Sequence, residues 1–180
     1  MRESSKAALC GIISSLAVVI MLSTYLSPFL VYTAPAFSGL LLLLILNELG
    51  WKWAAGTYAC VSLIAAFIIA DKEAAVFYTM FFGFYPILCF ILERKIKNRI
   101  IRTLMKFACF NLSCLISFAI CMFVLSLDMS DITEGSMIFT AVFVILMNVL
   151  FLVYDLLIIR LQLLYIKKLQ KKFRKLFNIR

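Results

Sequence analysis

At 180 residues the chain is 65 % hydrophobic and 15 % charged, with a mean hydropathy of +1.07. Soluble domains run about 45–50 % apolar and about 25 % charged, so too few polar side chains remain here to coat a water-facing surface. This balance excludes a soluble globular domain, a disordered chain, a collagen-like repeat and a disulfide scaffold, and leaves an all-α, polytopic integral membrane protein. The chain has no histidine, which removes the commonest general base and metal ligand.

A helix crossing the hydrocarbon needs about 20 mostly apolar residues. Six such segments are predicted, at Ala7–Leu26, Val31–Leu49, Trp53–Ala70, Ala74–Leu92, Phe107–Leu127 and Ser136–Ile159. The apolar runs are continuous rather than alternating, which selects helices over a barrel. The first follows Arg2 and Lys6 but is too long for a signal-peptide core, and no small-x-small cleavage site precedes Pro28. In the second, Pro35 fits the first turn of a helix, and the Glu48–Lys52 hinge to the third is tight. A re-entrant hairpin is the alternative there. Glu48 and Lys52 stand at i,i+4 spacing and read as an ion pair.

The fourth segment carries Gly83-Phe-Tyr-Pro86, and a proline inside a span removes a backbone bond and kinks the helix. In the fifth, Asn111, Ser113 and Ser117 add polarity. In the sixth, Asn148, Phe151 and Asp155 form one polar and aromatic stripe. Asp155 falls near one membrane face and calls for a cationic partner, with Arg160, Arg94 and Lys106 as candidates.

Seventeen of the eighteen lysines and arginines fall on the side of the N-terminus, and only Lys72 falls on the other. Basic residues are retained in the cytoplasm, so the expectation is a multi-pass cell-membrane protein with both termini cytoplasmic. Residues 1–166 form the six-helix transmembrane domain on this reading. Residues 167–180 form a basic amphipathic tail, the outer end of a pattern running from Leu161 through Leu169 to Phe173 and Leu176. The net charge of +9 then reflects topology and contact with anionic lipid rather than nucleic acid. On the outer side Tyr25, Tyr32, Tyr78, Asp128 and Asp131, with Asn148 deeper, are the candidate solute-binding residues.

Catalysis finds no support in the sequence. The six cysteines form no C-x-x-C pair, there is no phosphate loop or G-x-S-x-G, and Lys6 near Ser14 or Ser15 is explained by topology. No enzyme, cofactor or metal site is expected.

The first segment reads Lys6-Ala-Ala-Leu-Cys-Gly-Ile-Ile-Ser-Ser, and its Ala7, Gly11 and Ser15 recur every fourth residue as a stripe that lets another helix approach closely. This resembles the opening of the substrate-binding S components of energy-coupling factor (ECF) vitamin transporters, which begin with a basic residue and an A-x-x-x-A helix. Glycine and serine replace alanines here. The Glu73–Arg94 stretch is similar to that of small Firmicutes six-span membrane proteins. The resemblance implies a subunit that captures a small vitamin-like solute from outside. It implies that Ala7, Gly11 and Ser15 dock a membrane coupling subunit, and that separate cytoplasmic ATPases supply the energy. The alternative is a non-catalytic scaffold or assembly protein acting through its basic loop and tail.

Overall fold

The computed structural model describes residues 3–27, 29–124 and 137–170. Among these every regular element is helical: α1 (Glu3–Leu22), α2 (Leu30–Glu48), α3 (Trp51–Ile68), α4 (Lys72–Phe77), α5 (Tyr85–Lys95), α6 (Arg99–Ala119) and α7 (Met137–Leu164). A short 3₁₀ turn, Ser23–Leu26, extends α1, and a π-helical turn, Tyr78–Phe82, joins α4 to α5. Taken with these extensions, six helices are long and apolar enough to cross a membrane.

Large apolar side chains cover the perimeter, among them Leu26, Phe67 and Phe123, each more than four-fifths exposed. Polar groups turn inward: Ser38 and Thr57 are buried, and the Ser38 hydroxyl donates to the Ala17 carbonyl of α1 at 2.9 Å. A chain in hydrocarbon must be arranged this way, because an apolar exterior costs nothing there and an unsatisfied polar group costs several kcal/mol.

α2 is the hub. It packs against α1, α3, α4, α5 and α7, and buries Ala34, Ser38, Gly39, Leu42, Ile45 and Leu46. It is a full helix of 19 residues, followed by 18 in α3, each long and apolar enough to cross a membrane. The helix begins at Leu30, which puts Pro35 inside it rather than in its first turn. Gly50 then reverses the chain at φ +89°, a backbone region where a Cβ is strained. Because Gly50 separates the two helices, Glu48 and Lys52 do not share a helical face. Glu48 accepts a hydrogen bond from the Tyr165 hydroxyl at 3.2 Å, and Lys52 lies over the Trp51 ring.

α6 begins at Arg99, eight residues before the predicted fifth span. Asn98 caps it, its side chain accepting the Ile100 N–H at 3.0 Å. The charges of Arg99, Arg102 and Lys106 therefore belong to a helix, not a loop. At the opposite end Lys72 donates to the Ala66 and Ile69 carbonyls at 2.9 and 3.0 Å, closing the C-terminus of α3. Lys6, Lys52, Arg94 and Arg99 mark one end of the bundle, the basic end, and Lys72 marks the far end.

Candidate functional site

Charged side chains from three helices converge about 10 Å in from the basic end, judged from the seven-residue offset of Lys106 from the start of α6. Lys106 is only 4 % exposed. Its Nζ donates to Asp155 Oδ1 of α7 at 2.7 Å and lies 3.6 Å from Glu93 Oε1 of α5. Tyr85 of α5 donates its hydroxyl to the same Asp155 oxygen at 2.5 Å. Cys89, one turn along, places Sγ 3.5 Å from Glu93 and 3.9 Å from Asp155. A lone ammonium at this depth is costly, and two carboxylates and a phenol make it tolerable.

The sequence positions these groups simply. Tyr85, Cys89 and Glu93 follow one another at i,i+4 spacing, so one face of α5 carries all three. Asn148, Phe151 and Asp155, at i, i+3, i+7 spacing, likewise share a face of α7. Above the charges lies an aromatic layer. Phe151 stacks on Phe110 with centroids 4.5 Å apart, and Phe81, Tyr85 and Phe107 meet it edge-on. This layer separates the ionic cluster from the middle of the bundle. Chemically the cluster neutralises and ties together; its lysine and thiol are both turned into the protein.

The described residues among those predicted to bind solute have separate settings. Tyr25 lines a shallow far-end pocket of about 290 Å³ together with Thr24, Ser27, Val31 and Asp71. The Thr24 hydroxyl in this pocket is buried and finds no partner among the described residues. Tyr32 meets the Phe77 ring edge-on at 5.3 Å. Tyr78 is fully buried against Tyr58, and Asn148 exchanges amide hydrogen bonds with Asn111 at 3.1 and 3.4 Å. Asp128 and Asp131 lie outside the described residues, as do Phe173, Leu176 and the rest of the tail beyond residue 170.

The small-residue stripe has a different setting. Ala7, Gly11 and Ser15 line one wall of a groove of about 660 Å³, and Gly56, Thr57 and Cys60 of α3 line the other. A Cβ at Gly11 or at Gly56 would have no heavy atom within 4 Å. Among the described residues these glycines carry no close packing contact at the Cβ position. The floor toward the basic end is Trp53, with Lys6 above its ring at 5.7 Å and Lys52 beside it.

Sequence reasoning missed Tyr85, Cys89 and the second wall of the groove. Tyr85 stands in a Phe-rich run and Cys89 in an apolar one, so neither announces a polar neighbour; the need of Asp155 for a cation was the available signal. Among the described residues no group of three or more His, Cys, Asp or Glu side chains is placed to hold a metal ion. Comparison with protein-family models, with curated proteins and with solved structures finds no significant match to this chain.

Proposed function

We propose that the chain is a non-catalytic membrane subunit that works by receiving a partner helix in the α1–α3 groove, with its basic end in the cytoplasm. The carrying observation is that Gly11 and Gly56 lie on the two walls of an open groove where α1 and α3 adjoin, and a Cβ on either would meet no heavy atom of the described residues within 4 Å. Small residues left uncovered at membrane depth are what close helix–helix association uses. Lys52 at the basic end of the groove favours a partner helix with an acidic or carbonyl-rich end at that level.

In the S-component reading the partner is the coupling subunit of an ECF-type importer, and the far-end pocket at Thr24, Tyr25 and Asp71 is where a small solute is first held. The scaffold reading shares the groove and dispenses with the solute. It is favoured by the interior, where Tyr78 is packed and Asn148 is satisfied by Asn111 rather than by space.

Affinity co-purification from mildly solubilised membranes, with mass spectrometry of everything retained, tests both. A membrane coupling subunit with its ATPases, lost on Gly11→Leu and on Gly56→Leu, is the result expected of the importer subunit. Other membrane machinery lost on the same substitutions leaves the scaffold. Retention of every partner by both variants sinks the groove as the docking face.

A further inference from the structure

The fourth span keeps helical backbone angles throughout, but its hydrogen-bond ladder is interrupted at Gly83–Pro86, and both of its halves pack on α2 and α3. At the break the Gly83 N–H reaches back to the Tyr78 carbonyl at 2.8 Å, a π-type bond. Pro86 has no N–H, so the Phe82 carbonyl loses the donor that an unbroken helix would supply. That carbonyl instead abuts Gly39 of α2, where an added Cβ would run into it. The ring of Tyr58 occupies the space a Cβ on Gly83 would need, 2.7 Å away. Two glycines and a proline thus place a backbone interruption directly against the hub helix.

Beyond the interruption, α5 is tied to its neighbours on one face by polar contacts. Tyr85 bonds to Asp155 of α7, and Glu93 faces Lys106 of α6. The contacts are unequal. Lys106 and Asp155 pair with each other at 2.7 Å without α5, whereas Glu93 holds Lys106 only at 3.6 Å. Glu93 also lies on the last turns of α5, its side chain 29 % exposed.

We propose that α5 is a lever hinged at Gly83–Pro86, and that Tyr85–Asp155 and Glu93–Lys106 are the latch that holds it closed. The inequality makes this work. When α5 swings out, Lys106 keeps Asp155 and Glu93 moves toward water at the basic end, so no charge is left buried and alone. A triad in which Lys106 depended on Glu93 would instead lock the helix permanently. Hinges that absorb such a movement are short segments at element ends, as Gly83–Phe84 is here.

Cys89 reports the movement, since it is 1 % exposed on the latched face. The experiment compares two single-cysteine proteins in proteoliposomes, one keeping Cys89 and the other keeping Cys114 of α6, by their rates of labelling with a small membrane-permeant maleimide. Tyr85→Phe opens the latch at its shorter contact while leaving Lys106 paired and the Glu93 carboxylate beside the Cys89 thiol unchanged. Cys89 labelling should rise about tenfold, the scale set by losing one charge-assisted contact, with Cys114 unchanged. Pro86→Ala, which restores a donor for the Phe82 carbonyl, should slow Cys89 labelling in the Tyr85→Phe protein. Equal Cys89 rates with and without Tyr85→Phe overturn the proposal. So does a parallel rise at Cys114, which would mean general loosening, or indifference to Pro86→Ala.

Discussion

The bundle contains two places where sequence features concentrate, and they have opposite fates. Around Lys106, side chains rich in chemistry spend it on one another: carboxylates on an ammonium, a phenol on a carboxylate, rings on rings. Along α1 and α3, glycine, alanine and serine have almost no chemistry to offer, yet theirs is the surface left uncovered. In a membrane this ordering is physical. Polar groups at depth must be satisfied inside the chain, because lipid cannot satisfy them, whereas small apolar surfaces can be left for a partner at little cost.

The contrast is most severely tested at Asp155. Asp155→Leu leaves the Lys106 ammonium buried without its principal partner, and a loss of about 3–5 kcal/mol is expected, read as a large drop in thermal stability in detergent. The double variant Lys106→Met with Asp155→Leu should recover most of it, because the cost lies in the orphaned charge rather than in the absent bond. If the double variant is as unstable as the single, the cluster contributes through packing alone.

Glycine substitutions sharpen the comparison further. Gly39→Ala drives a methyl into the Phe82 carbonyl, and overpacking of this kind costs roughly 1–3 kcal/mol. Gly11→Ala adds the same methyl to open space, so stability should hold or rise by up to about 1 kcal/mol through helix propensity. Matched melting curves of the two variants check this; similar losses in both would mean that the groove is closed in the membrane. Asn148→Ala breaks an interhelical amide pair and should cost about 0.6–2 kcal/mol, matched rather than added to by Asn111→Ala in a double-mutant cycle.

Much of the fold was legible because one variable, the length of an apolar run, decides a span. It failed where charge and helix coincide. Arg99, Arg102 and Lys106 read as a loop, yet Asn98 caps a helix that carries Lys106 inside the bundle. Pro35 misled in the other direction, since α2 tolerates it one turn and more from its start. At the ionic site, Asp155 announced that a cation was needed, but choosing Lys106 over Arg94 or Arg160 requires knowing which helices adjoin. The stripe on α1 was visible as spacing. Its opposing wall on α3 was not, because Gly56 and Cys60 gain meaning only when α1 and α3 are neighbours.

Lys72 bears on the lipid. Its ammonium is turned onto the last carbonyls of α3, so the one basic side chain among the described residues at the far end is already occupied by backbone. Asp71 and Glu73 flank it and bring carboxylates to the same rim. A phosphate arriving there meets repulsion with no free ammonium to offset it, while an amine-bearing headgroup meets attraction. The annulus around this rim should therefore be enriched in ethanolamine or choline lipids over anionic ones, the reverse of the composition expected at the basic end.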